Sequence, residues 1–332
     1  MKPATSFITT ALVAYSGTSA ATKLNLETKH GLALLADTAE SDIELLTSET
    51  SPISWYYTWS AYPNEVVGDS AVFLPLIHNL DSLEEDGIWS ALDRLPSSST
   101  HLLTFNEPDE ENENGGSSAS PKAMAEAYLE YIVPLHDGER EGSDRTWNIS
   151  HPVVSGSPRG LEWLRDFNES CYELEPDHGC PTDFVAVHWY GNFDGLASWL
   201  GTLHDFYNPN NSSSISLWIT EMALPQEDDE ANVQMLQESM RYLDDLPYVE
   251  GYAWFGAFRE EDSNEWTGDG VSIFNDDGDL TEVGSEYLGG DTDEFKGDGD
   301  DDGGAGNALR PSRTAILLGV VGPILAAIYE YA

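Results

Sequence analysis

Short apolar runs recur along this chain, separated by stretches of helical periodicity. Gly31–Leu35, Ile53–Trp59, Ala71–Ile77, Leu102–Asn106, Pro152–Gly156, Phe184–Tyr190, Leu217–Glu221 and Gly251–Phe255 each read as a buried strand, the fifth less clearly than the others. Between them, Met124, Ala127, Tyr128 and Tyr131 recur at helical spacing within Pro121–Val133. Met235, Leu236, Met240 and Leu243 do the same within Gln234–Leu243. Ser120-Pro121 supplies an N-cap and a first helical position. Repeated strand–helix alternation predicts an α/β fold, a (β/α)8 TIM barrel forming a single domain over residues 22–288. Arg259–Gly284 lacks a long helical pattern, so an irregular last unit is expected.

Two of these runs share an ending. Leu102-Leu103-Thr104-Phe105 leads into Asn106-Glu107-Pro108, and Pro108, having no N–H, stops the strand. Leu217-Trp218-Ile219-Thr220 leads into Glu221. An isolated Asn-Glu-Pro is usually a polar turn. In a parallel barrel, however, the C-terminal strand ends build the active site, so both carboxylates would share one mouth. Glycoside hydrolysis needs such a pair flanking the scissile bond.

Charge narrows the substrate. With 14 basic and 60 acidic residues the formal net charge is −46, which repels nucleic acid, anionic lipid and acidic polysaccharide. A neutral polysaccharide fits. The charge also serves solubility outside the cell.

Both ends resemble processing signals. Lys2 precedes an apolar Phe7–Tyr15 segment and small residues, which predicts a signal peptide over residues 1–21. Residues 289–306, rich in Asp, Glu and Gly, are expected to form a disordered, charge-extended stalk. Small residues at 303–307, then Arg310 and Arg313, then apolar Ala315–Ala327 follow the order of a GPI-anchor signal, so residues 307–332 are expected to be removed. A permanent membrane span is disfavoured by Glu330 and the short apolar run. The expected localisation is secreted, at the cell surface or wall, with a GPI lipid as the only membrane attachment.

Cys171 and Cys180 are the only cysteines, and an even count in a secreted chain suits one local disulfide. Sequons at Asn148, Asn168, Asn210 and Asn211 permit glycosylation. Pairs such as Glu260-Glu261 and Asp276-Asp277 lack calcium-site spacing, so no metal and no cofactor is expected. A monomer is expected.

Four segments, Phe105-Asn106-Glu107-Pro108-Asp109, Val187-His188-Trp189-Tyr190-Gly191, Trp218-Ile219-Thr220-Glu221 and Tyr252-Ala253-Trp254-Phe255-Gly256, resemble glycoside hydrolase family 128, the fungal and bacterial β-1,3-glucanases. Ser54-Trp55-Tyr56-Tyr57 and the cysteine pair fit the same order, and the resemblance covers residues 31–288. It implies retaining hydrolysis of β-1,3-glucan, with Glu107 as acid/base and Glu221 as nucleophile. Ser155-Gly156-Ser157-Pro158 stands where Ser-Pro-Ala is expected, and Asp109–Gly116 is unusually acidic. From chemistry, Asn106 is placed to bond a sugar 2-hydroxyl and Tyr190 to orient Glu221. Trp189 and Trp254 offer faces for pyranose stacking, and His188 is either a site residue or a satisfied core histidine. Three alternatives stay open: a catalytically silent glucan-binding wall protein, a glucan transglycosylase on the same fold, and a structural surface protein.

Overall fold

The computed structural model describes Leu24, residues 26–209 and residues 214–290. The expected leader, the anchor signal, all but two residues of the expected stalk, and the sequons at Asn210 and Asn211 lie outside them.

Nine parallel strands form one curled sheet, in the order β3-β2-β1-β9-β8-β7-β6-β5-β4. They are β1 (His30–Leu34), β2 (Trp55–Tyr57), β3 (Val72–Phe73), β4 (Leu76–Ile77), β5 (His101–Asn106), β6 (Asn148–Val153), β7 (Phe184–Tyr190), β8 (Ser216–Ala223) and β9 (Val249–Ala257). The two edge strands, β3 and β4, are halves of one expected strand. Pro75 separates them because it has no N–H for the ladder. Leu74 N still donates to Tyr56 O, and Pro75 O accepts from Leu103 N, both at 2.9 Å. The β6 strand starts earlier than the sequence suggested. Its Ser150 is polar yet fully buried, because its hydroxyl accepts from Thr104 N at 3.0 Å.

Helices α1 (Glu40–Leu46), α2 (Ile88–Arg94), α3 (Pro121–Ala127), α4 (Val133–Asp137), α5 (Pro158–Leu174), α6 (Phe193–Tyr207), α7 (Asp229–Asp245) and α8 (Glu282–Leu288) follow the strands. Ser120 caps α3 as expected, accepting from Ala123 N. No helix lies between β2 and β3, so the regular eightfold alternation fails there. The last unit is irregular as expected, with only short α8 after a long loop. Arg259 pins that loop to α1 through two bonds to Asp42, at 2.8 and 2.9 Å.

Strand side chains alternate between two cores. Ala33, Trp55, Tyr57, Leu103, Phe184, Ala186, Trp218 and Ala253 fill the concave side of the sheet. Leu32, Tyr56, Val185, Val187, Ile219, Tyr252 and Trp254 pack under the helices. Trp55 and Trp218 meet edge to face at 5.1 Å. They fit because Gly31 and Gly251 are beside them: a Cβ there would lie 2.1 Å from the Trp55 ring and 2.6 Å from the Trp218 ring. Cys171 and Cys180 form a disulfide joining the end of α5 to the segment entering β7.

His101 lies among these rings, 5.1 Å from Phe184 and 5.5 Å from Trp218. Burial pushes its imidazole down to about 4, with Asp183 opposing. The folded state therefore holds it neutral, whereas the unfolded chain takes up a proton near 6.5. This contribution is fully present above pH 6.5 and is lost as pH falls toward 4. It amounts to at most about 3 kcal/mol. His101→Phe should flatten the loss of urea stability between pH 6.5 and 4. An unchanged slope would remove His101 as a cause.

Candidate active site

The two glutamates meet. Glu107 follows β5 and Glu221 sits near the end of β8, and each is about 5% exposed. Between them stands His188 of β7, 1% exposed. Its Nδ1 lies 2.8 Å from Glu107 Oε1 and its Nε2 3.3 Å from Glu221 Oε1. One ligand atom from each of the three residues falls within 4.8 Å of the others. Such a group is close enough to hold a cation. The donor set favours a hydrogen-bonded network, since both nitrogens of the single histidine already face carboxylate oxygens.

Glu221 is oriented from three sides. Tyr57 Oη donates to Oε1 at 3.0 Å, Trp59 Nε1 donates to Oε1 at 2.9 Å, and Tyr190 Oη donates to Oε2 at 2.5 Å. Burial, then the Glu221 charge, raises both tyrosines well above 10, so they remain neutral donors. Register shifts make this convergence possible. In β7–β8 pairing, Val187 faces Ile219 but His188 faces Glu221, so one residue of β8 is skipped. Glu221 therefore turns inward although Ile219, two residues before it, packs under the helices, and Met222 next to it faces outward again.

Glu107 is held differently. Burial raises its carboxyl above the usual range; His188 opposes this, while Glu221 and Asp109 add to it. Asp109 is itself tied to the loop after β6, accepting from Ser155 N at 3.0 Å and Ser155 Oγ at 2.5 Å. Ser157 caps α5. Gly156 lets the loop approach β7, since a Cβ there would lie 2.8 Å from His188 O. The unexpected Ser-Gly-Ser-Pro thus anchors the acidic loop beside Glu107. Asn106 donates through its amide to Gly115 O at 3.1 Å, leaving a buried Oδ1 without a protein partner.

Backbone strain gathers here. Phe105 and Glu107 have φ of 39° and Trp59 has φ of 52°, a region unfavourable for residues with a Cβ. Each such residue costs on the order of 1–3 kcal/mol and persists where the surroundings impose it.

Trp189 and Trp254 do not stack over this site. Alternation along the strand sends His188 and Tyr190 inward and Trp189 the other way. Trp189 donates to Asn192 O at 3.0 Å and packs against Gly156 and Gly195. Trp254 is 0% exposed and donates to Val271 O at 2.9 Å. The aromatic surface near Glu221 is built instead by Trp59, Phe255 and Trp266. Phe255 lies 6.0 Å from Trp59 and 5.6 Å from Tyr190, and Trp266 lies 4.5 Å from Tyr190. His78, just past β4, also feels Glu221; burial holds its imidazole below 6.5. Tyr57 and Trp59 carried a signal, as polar-tipped aromatics ending a strand. Trp266 sits in a loop with no periodicity to mark it.

Residues 31–287 match the family model described as glycosyl hydrolase catalytic core. The chain belongs to this glycosyl hydrolase family. Its likeness to glycoside hydrolase family 128 also holds in three dimensions. One solved relative is a subgroup III curdlan-specific exo-β-1,3-glucanase from Blastomyces gilchristii, in complex with glucose. It is 29% identical with a TM-score of 0.59, over 78% of this chain and 97% of that one. A subgroup VII oligosaccharide-binding protein from Trichoderma gamsii shares the fold at 17% identity, with a TM-score of 0.59, over 81% of this chain and 95% of that one. Among curated proteins, alkali-sensitive linkage protein 1 of Schizosaccharomyces pombe is 28% identical over 244 residues, 71% of this chain. This chain spans only 40% of that relative's length.

Proposed function

We propose that this glycosyl hydrolase cleaves β-1,3-glucan with retention, using Glu107 as acid/base and Glu221 as nucleophile. The observation that carries the reading is the closeness of the two carboxylates, whose nearest oxygens lie within 4.8 Å. Retaining enzymes hold their carboxyls about 5–5.5 Å apart, whereas inverting enzymes need about 6.5–9.5 Å for a water. The asymmetry of their surroundings supports the roles. Glu221 accepts from three donors, as a standing anion should, and Glu107 is buried with a raised carboxyl, as an acid should be.

In the first step Glu107 protonates the leaving oxygen while Glu221 bonds to the sugar carbon. In the second, Glu107 takes a proton from water, whose oxygen attacks that carbon and frees Glu221. The unpartnered Asn106 Oδ1 accepts from the sugar 2-hydroxyl, and the aromatic surface of Trp59, Phe255 and Trp266 flanks the ring. We further read β3 and β4 as one interrupted strand that closes the sheet into a (β/α)8 barrel. The terminal signals support a location at the cell surface, stalked and GPI-anchored, and fungal wall glucan is the substrate that fits that location.

Incubation with laminarin, followed by product sizing and affinity electrophoresis, tests this. Shorter oligosaccharides or glucose are expected. Products longer than the donor would instead mark a transglycosylase. Retarded migration without products would mark a binding protein, and neither effect would leave a structural role.

A further inference from the structure

The feature least explained by a two-carboxylate mechanism is the histidine between the carboxylates. A positioning residue needs one hydrogen bond to Glu107. His188 instead faces both catalytic groups at once, with nitrogens 2.8 Å from Glu107 and 3.3 Å from Glu221. The contact to Glu107 is a hydrogen bond and the contact to Glu221 an ion-pair distance, and an imidazole presents an N–H at both nitrogens only when it is the cation.

We propose that His188 is a standing imidazolium that serves as counter-ion to each catalytic carboxylate in turn. This rests on the reading of Glu107 and Glu221 given above. In the free enzyme Glu107 is a neutral acid and Glu221 an anion, so the buried triad of Glu107, His188 and Glu221 sums to zero. After the first step Glu221 is a neutral ester and Glu107, having given its proton to the leaving oxygen, is the anion. The triad again sums to zero. In the second step Glu107 takes a proton from water, the hydroxyl goes to the sugar carbon, and the electron pair returns to Glu221. The negative charge therefore moves from one end of His188 to the other and back, while the imidazolium keeps both protons.

Low local dielectric makes this compensation valuable. A net charge in a site shielded from water would raise whichever state carried it. The surroundings favour the cation. Burial opposes protonation of His188, but Glu221, Glu107 and Asp109 outweigh it and hold the imidazole above 6.5. Of the other titratable groups here, Tyr57 and Tyr190 are neutral donors and His78 is held below 6.5. The only basic side chain in hydrogen-bonding or ion-pair contact with either catalytic glutamate is His188 among the described residues.

Nitrogen-15 spectra of histidine-labelled enzyme, with the His188 signal assigned through His188→Gln, test this directly. Both ring nitrogens should carry protons near pH 6, and both should still do so after trapping with a 2-deoxy-2-fluoro-laminaribiosyl fluoride. A singly protonated ring in the free enzyme, or loss of a proton on trapping, would overturn the proposal. His188→Gln keeps a donor but removes the charge. Its kcat on laminari-oligosaccharides should fall roughly a hundredfold. Its basic pH limb should move up by about one unit or more, because Glu107 loses a neighbouring cation. A role confined to positioning would leave that limb in place. Failure of the wild-type enzyme to cut laminarin or to be trapped would sink the hydrolase reading and this inference with it. Normal wild-type cleavage with an unshifted limb would sink the inference alone.

Discussion

Glu221→Ala should abolish turnover of β-1,3-glucan, with a loss of roughly four orders of magnitude or more. The nucleophile's removal leaves Tyr57, Trp59 and Tyr190 with no carboxylate to bond and no atom to attack the sugar carbon. The small side chain opens room on that side of the ring. Azide should enter it and restore cleavage of activated aryl β-laminaribiosides, and the product should be the α-glycosyl azide, since attack comes from the vacated face. Chiral analysis of that azide is the check. A β-azide would mean that Glu221 is not the nucleophile.

Glu107→Ala should separate substrates by their leaving groups. Glucan and alkyl glycosides need a proton on the departing oxygen and should slow by roughly 10²–10⁴-fold. Activated aryl glycosides leave without that proton, so their first step should be nearly unaffected while the second, which needs a base, becomes limiting. Azide needs no base and should accelerate that second step, giving the β-glycosyl azide. An α-azide here would exchange the two roles, and wild-type activity in both variants would remove the site altogether.

Much of this arrangement was legible in the residues. Runs ending in Asn106-Glu107-Pro108 and at Glu221 name two strands and the end of the sheet they share, because a carboxylate closing an apolar run means the same thing on each, and Pro108 marks the stop of the first. Strand β7 is visible to its limits, since all seven of its residues are apolar, aromatic or histidine. What the residues do not display is direction. A continuous apolar run buried on both faces hides its period-2 alternation, so Trp189 and Trp254 read as readily inward as outward. Neighbours settle it: a glycine at 195 leaves space for one indole and the Val271 carbonyl receives the other. The bulge that turns Glu221 inward is equally silent, because register belongs to two strands and the sequence shows one at a time. Pro75 was visible in the third run, yet its effect, one strand divided into the two edges of the sheet, follows from pairing with β2 on one side and β5 on the other. The apolar run names the strand that carries the bridging histidine, but its partners are 81 residues away at Glu107 and 33 at Glu221 (221 − 188), too far for any local pattern to join them.

Retention by a pair of close carboxylates is the centre of this account, and the anomer first released from a laminari-oligosaccharide measures it most directly. Proton NMR in the first minutes of hydrolysis, before mutarotation, should show the β-anomer of the new reducing end accumulating ahead of the α-anomer. Initial release of the α-anomer would show inversion, and would contradict direct attack by Glu221 on the sugar carbon.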